Sequence, residues 1–196
     1  MTINSSSKLI KDLKSIPSPV FYIFAAVALF SAFFVLGFNI NGVFTALFLL
    51  LLTACACADI NAGIVPDIIV IAIAVLGIVS FPVVEGFTMA GLISRLIGVV
   101  CIALPMLLIS ILVRGAFGGG DIKLMAAAGL YLGWRLTVAG AFIGMFIAGI
   151  YGIGLLIFHK AKTRSKLKLA PFLAYGLATV SLFGEQLLLL VSLGMY

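Results

Sequence analysis

Charged residues are scarce in this 196-residue chain: Asp, Glu, Lys and Arg make up only 9% of it, against 64% hydrophobic residues. Soluble globular domains carry about 25% charged residues, so this composition excludes a soluble domain. It predicts an all-α, polytopic transmembrane helix bundle with the lipid bilayer as its surroundings. The net charge of +6 then reflects Lys and Arg in cytoplasmic loops, and no nucleic-acid partner is expected.

Histidine and cysteine are also rare. The chain has one histidine, His159, and three cysteines, Cys55, Cys57 and Cys101, which lie in apolar segments without a CxxC spacing. Because zinc sites usually combine several such ligands, we expect no metal and no cofactor, and we interpret the cysteines as small buried hydrophobes. A serine–histidine protease or an HExxH zinc protease would need a histidine within the bilayer, whereas His159 lies in a basic loop.

Long apolar runs dominate what remains. A membrane-spanning helix needs about 20 apolar residues, and seven segments are candidates: 18–38, 42–58, 64–83, 88–113, 121–133, 135–158 and 169–194. The fifth is short, at about 18 Å of helix against a hydrocarbon core of ~30 Å. We expect residues 1–17 to form a polar cytoplasmic tail and residues 18–196 to form one membrane-embedded domain.

The distribution of basic residues predicts the orientation of these segments. Three lysines precede the first segment, and residues 159–168, between the last two, are rich in Lys and Arg. The positive-inside rule places both regions in the cytoplasm. This is satisfied if all seven segments cross, with the C-terminus outside, whereas omitting only the short fifth segment would put the basic loop outside. This topology brings the turns that carry Asp59 and Asp121 to the same, cytoplasmic, face of the inner membrane.

The first of these turns is "DINAGIVPD", residues 59–67. Asp59 ends the second segment, and alone it could be an ordinary polar residue at the membrane interface. Pro66 suits the start of the third helix because its missing N–H would have no partner there. Asp67 is then predicted to be an acidic residue in the first turn of the third helix, where the helix dipole favours negative charge.

The second turn places three glycines, Gly118, Gly119 and Gly120, directly before Asp121. Three glycines allow the backbone to bend sharply and let other groups approach closely. Asp121 opens the short fifth segment, where a helix N-terminus favours a carboxylate. Taken alone, Asp121 could be an N-cap that follows a glycine hinge.

Two carboxylates on one membrane face can act as an acid–base pair. Like charges a few ångströms apart do not readily ionise together, so one group holds a proton while the other acts as a base. The base activates a water molecule, and the acid protonates the carbonyl oxygen of a peptide bond. This chemistry predicts an aspartic endopeptidase. The alternative is an ion- or proton-coupled transporter that uses Asp59 and Asp121 as its binding site.

Three motifs resemble those of type IV prepilin peptidases, including the preflagellin peptidases. The segment "GGGDIKLMAAAGLYLG" (118–133) resembles the GxGD segment of that family. The stretch 59–67 resembles its other half-site, an aspartate followed seven residues later by the proline of an (I/L/V)P(D/N) turn. The stretch "LKLAPFLAYG" (167–176) is similar to its Pro-Phe-Leu-Ala-x-Gly segment. The likeness covers approximately residues 45–194.

The resemblance implies a GxGD aspartyl membrane protease with Asp59 and Asp121 as the catalytic pair. It implies prepilin or preflagellin substrates, cut at the cytoplasmic face to remove a short basic leader. Because paired CxxC motifs are missing, the chain resembles the short members without a methyltransferase region, and segment 18–38 resembles an addition to a six-helix core. The residues expected to position the substrate or the backbone are Gly118, Gly119, Gly120, Pro66, Asp67, Lys123 and Pro171.

Overall fold

The computed structural model describes residues 19–113, 115–158 and 168–193, and all the regular elements within these ranges are helices. In chain order they are α1 Pro19–Leu36, α2 Ile40–Ala62, α3 Asp67–Ser80, a π-helical turn Phe81–Glu85, α4 Met89–Cys101, α5 Ala103–Leu112, α6 Gly119–Leu132, α7 Trp134–Ile157 and α8 Ala170–Leu193. The predicted all-α class is confirmed. The polar N-terminal tail and residues 159–167 of the basic loop lie outside the described residues.

The helices follow the predicted segments closely, with two local differences. The third segment continues from α3 into the π-helical turn, and the fourth is divided into α4 and α5 at Ile102. Four segments are long and apolar enough to cross a membrane: Ile40–Ala62, Asp67–Val84, Met89–Leu112 and Trp134–Leu155. Shorter apolar stretches lie in α1 and α8. The protein is therefore a polytopic helical membrane protein.

The outer surface of the bundle is apolar. Large hydrophobic side chains such as Phe30, Phe34, Phe142 and Phe146 are exposed on the helices. A continuous apolar surface of this kind would promote association in water, but it matches the hydrocarbon of a bilayer.

The short helix α6 packs between α3 and α4. Its 14 residues span about 21 Å. A Cβ on Gly77 of α3 would lie 3.0 Å from the carbonyl carbon of Leu130, and Gly98 of α4 faces the backbone of Gly129 directly. Small residues allow such close approach between membrane helices, so α6 is held by backbone contacts on two sides.

Arg95 fixes the C-terminal half of α6. Its guanidinium is buried, and Nη1 donates hydrogen bonds to the carbonyl oxygens of Gly77 (2.9 Å) and Leu130 (3.0 Å). Nη1 also reaches Ser80 Oγ, and the guanidinium lies over the ring of Phe81. Carbonyls near a helix C-terminus carry partial negative charge, so this cation joins the ends of α3 and α6. Asp121 lies at the opposite end of the helix that Arg95 anchors.

The pairing of α7 with α8 determines where α8 begins. A Cβ on Gly176 would overlap the carbonyl oxygen of Gly140, and a Cβ on Gly144 would lie 2.7 Å from the carbonyl oxygen of Phe172. These small residues bring the two helices into backbone contact. α8 also packs against α2, and its first residue, Ala170, lies beside the end of α2.

Candidate active site

Asp59 lies in the last turn of α2 and is only 7% exposed. The helix stops four residues later because Gly63 adopts a left-handed conformation (φ 65°) and donates its N–H to the Asp59 carbonyl oxygen at 2.8 Å, a common type of helix termination. The Asp59 carboxylate accepts a hydrogen bond from the backbone N–H of Ala170, the first residue of α8. A helix N-terminus is a good partner for an anion, so α8 supplies a positive environment for this carboxylate.

Lys168 joins the ends of α2 and α8. Its Nζ donates a hydrogen bond to the carbonyl oxygen of Ile60, next to Asp59. Lysine is favourable there because the carbonyls at a helix C-terminus have no helical partners. Sequence reasoning interpreted the whole basic loop as a topology signal and missed this contact. The only available signal was the position of Lys168 directly before the segment that contains Pro171.

Asp121 is the third residue of α6 and is 9% exposed. Its carboxylate accepts a hydrogen bond from the backbone N–H of Gly118, the N-cap of the same helix. An acidic residue three positions after the N-cap commonly reaches back in this way. The first turn of α6 therefore orients the carboxylate, and the helix N-terminus stabilises its charge.

The structure brings Asp59 and Asp121 together at one end of the bundle. The two carboxylates are close enough for the charge of Asp59 to act on Asp121. Cys55, one turn before Asp59, lies within electrostatic range of both. One carboxylate oxygen, Asp59 Oδ2, is buried without a hydrogen-bond partner among the described residues. Two buried carboxylates whose charges act on each other form a candidate acid–base pair.

The three glycines before Asp121 have different roles. A Cβ on Gly118 would lie 2.9 Å from Asp121 Oδ2, and a Cβ on Gly120 would lie 2.8 Å from Val65 Cβ, whereas a Cβ on Gly119 would meet nothing within 4 Å. None of the three has a positive φ. None of them therefore needs the left-handed conformation that favours glycine, and Gly118 and Gly120 allow close approach, as expected. The left-handed residue of this connection is Gly115 (φ 83°).

The other predicted positioning residues surround the pair. Asp67 is the first residue of α3, as predicted, but it is exposed and does not join the buried carboxylates. It forms an ion pair of 2.7 Å with Lys123 of α6. Pro66 is the buried N-cap of α3, and Pro171 lies half-buried in the first turn of α8, next to Ala170.

Within the described part of the chain, no three His, Cys, Asp or Glu side chains are grouped closely enough to hold a metal ion.

Comparison with known proteins identifies the family. The type IV leader peptidase family matches residues 46–153, which include both Asp59 and Asp121. The prepilin leader peptidase/N-methyltransferase of Bacillus subtilis is 31% identical over 99 residues, covering 50% of this chain and 38% of that protein. A protein of the same description from Aeromonas salmonicida is 28% identical over 74 residues, covering 38% of this chain and 25% of its own length.

These alignments thus span well under half of either relative. No solved structure shows a significant match to the chain. Because the family match extends over more than half of the 196 residues, the chain belongs to the type IV leader peptidase family.

Proposed function

We propose that this protein is a membrane aspartyl endopeptidase that removes the short basic leader of prepilin-like or preflagellin-like proteins. The observation that carries the proposal is the meeting of two buried carboxylates, Asp59 and Asp121, from distant parts of the chain. Both lie within the region that matches the family. The other proposed site residues position the substrate or the backbone. They are Gly118, Gly119, Gly120, Pro66, Pro171, Asp67 and Lys123.

In the proposed mechanism one carboxylate is ionised and the other is protonated. The ionised group takes a proton from water while the oxygen of that water bonds to the carbonyl carbon of the scissile peptide. The protonated group gives its proton to the carbonyl oxygen. When the tetrahedral intermediate collapses, the C–N bond breaks and the leaving amine takes a proton from the first carboxyl group. The second carboxylate takes back a proton from a hydroxyl group of the intermediate, so both groups return to their starting states. The products are a leader with a free carboxyl group and a substrate with a new N-terminus.

Three features of the site support this mechanism. Each carboxylate contacts the N-terminus of a helix, α8 for Asp59 and α6 for Asp121, which stabilises negative charge in a buried place. The unpartnered Oδ2 of Asp59 offers an acceptor for the shared proton or for the attacking water. Gly119 is exposed with free space around it, which leaves room for a substrate backbone near Asp121.

We further propose that the active site lies at the cytoplasmic face of the inner membrane, within a single membrane-embedded domain of residues 18–196. The end of α2 and the starts of α6 and α8 lie at the same end of the bundle, as expected if consecutive segments cross in alternate directions. The basic loop directly before α8 belongs in the cytoplasm by the positive-inside rule.

The transporter alternative is less well supported. A cavity of about 230 Å³ lies at the opposite end of the bundle, lined in part by Thr45, Tyr131 and Arg95. Along α2 and α6, Leu52 and Leu124 lie between that cavity and the aspartates, and both are fully buried. These apolar side chains lie between the cavity and the carboxylates, whereas coupled transport needs a polar path between them.

The proposal is tested by co-expressing the protein with prepilins and following loss of the leader by gel shift. We expect cleavage by the wild type and none by Asp59→Asn or Asp121→Asn. Glu85→Gln, at the other end of the bundle, is the matched control and should cleave normally. Cleavage by either aspartate variant that is stably inserted in the membrane would show that this carboxylate is not catalytic.

A further inference from the structure

The ion pair between Asp67 and Lys123 lies at the edge of the candidate active site. Val65, two residues before Asp67, packs against Gly120, and Gly120 directly precedes Asp121. Lys123 is two residues beyond Asp121 on the same helix. The Nζ of Lys123 and Oδ1 of Asp67 are 2.7 Å apart. The pair therefore bridges α3 and α6 within a few residues of the buried carboxylates.

This pair is open to exchange with an outside charge. The side chain of Lys123 is 59% exposed and that of Asp67 is 65% exposed. Exposed ion pairs contribute little to stability because water solvates both partners when they separate. A charged group on a bound substrate can thus replace either partner at low cost. Buried ion pairs do not have this property.

The charges around the site distinguish the two partners. Of the acidic side chains that the structure describes, Asp59 and Asp121 are buried and Asp67 is exposed. The exposed cation Lys168 lies close to the site and donates to the Ile60 carbonyl oxygen. Among the described residues, Asp67 is therefore the carboxylate that a cation from outside can reach without entering the buried pair.

We propose that Asp67 is a specificity-determining residue that binds a cationic side chain in the leader of the substrate. Lys123 is the internal cation that occupies Asp67 in the free protein and leaves it when the leader binds. The inference rests on the proposed function for the identity of the leader, and it assigns leader recognition to one exposed carboxylate outside the catalytic pair.

The test is a binding measurement with a fluorescent synthetic peptide that has a lysine-containing leader followed by an apolar segment. A second peptide carries glutamine in place of each leader lysine. The full-length protein is placed in nanodiscs of zwitterionic lipid, with Asp121→Asn in every variant so that the peptide stays intact. Binding of both peptides is then compared with and without Asp67→Asn or Lys123→Gln, and Arg135→Gln is the control for loss of an exposed cation elsewhere.

We expect Asp67→Asn to weaken binding of the lysine peptide about threefold and Lys123→Gln to strengthen it by a similar factor, as for exposed charge pairs. Neither change should alter binding of the glutamine peptide, and Arg135→Gln should alter neither. In the cleaving protein, Asp67→Asn should raise KM and leave kcat unchanged. Equal effects of Asp67→Asn on both peptides, or no effect on either, would overturn the proposal.

A different result would refute the proposed peptidase function: the wild-type protein would remove no leader in the co-expression assay. Binding that depends on the leader charge through Asp67 would still support the recognition role in that case.

Discussion

Single alanine substitutions at Gly118, Gly119 and Gly120 should have three different outcomes, although the residues are neighbours of one type. At Gly120 the new Cβ would lie 2.8 Å from Val65 Cβ, and ordinary contact begins at 3.4 Å, so α6 and the 63–66 connection must separate by about 0.6 Å. Overpacking of this kind typically costs about 1–3 kcal/mol. A 1 Å displacement of catalytic groups can cost about 100-fold in rate, so we expect kcat to fall by about 10- to 100-fold.

The other two substitutions separate stability from activity. At Gly118 the new Cβ would lie 2.9 Å from Asp121 Oδ2, and the carboxylate can move away while the fold remains. We expect a similar loss of kcat but a stability change below about 1 kcal/mol. At Gly119 the Cβ has free space, and alanine restricts the unfolded chain more than glycine does. We expect Gly119→Ala to stabilise by about 0.5 kcal/mol with nearly normal kcat at saturating substrate. Because the methyl group enters the space assigned to the substrate backbone, any loss should appear as a higher KM.

Stability can be followed through the fluorescence of the only tryptophan, Trp134, during titration with SDS in mixed micelles. Activity is the rate of leader removal at saturating prepilin. The reasoning would be refuted if Gly119→Ala were as damaging as Gly120→Ala, or if Gly120→Ala matched the wild type in both measurements.

Further substitutions test the rest of the bundle. Arg95→Met removes two hydrogen bonds to helix carbonyls and should lower the free energy of unfolding by about 1–3 kcal/mol in the SDS titration. The control Arg135→Met, at an exposed site, should change it by no more than about 0.5 kcal/mol. Equal effects of the two substitutions would contradict the anchoring of α6. Gly176→Ala places a methyl group against the backbone of α7 and should cost at least about 2 kcal/mol, while Gly152→Ala, which meets nothing within 4 Å, should be nearly neutral. Gly119→Cys should react with a membrane-impermeant maleimide applied to inverted vesicles, and protection from that reagent would argue against a water-filled site.

Local patterns correctly predicted where the candidate site residues lie on their helices. The apolar runs placed Asp59 at the end of one helix and Asp121 and Asp67 in the first turns of two others, as the structure has them. For the glycines, the sequence indicated that other groups could come close but not which neighbour does so. The partner of Gly120 is Val65, and no periodicity connects these two positions.

The sequence alone determined that this is a helical membrane protein with carboxylates at particular helix ends. Composition and the length of apolar runs are local quantities, and the bilayer allows few backbone structures to span it. The tertiary structure decided what surrounds those carboxylates. Ala170 donates to Asp59, Lys123 pairs with Asp67 across 56 residues of sequence, and Lys168 reaches Ile60 across 108. Such contacts depend on which helices pack together, and that is set by side-chain and glycine complementarity between distant segments.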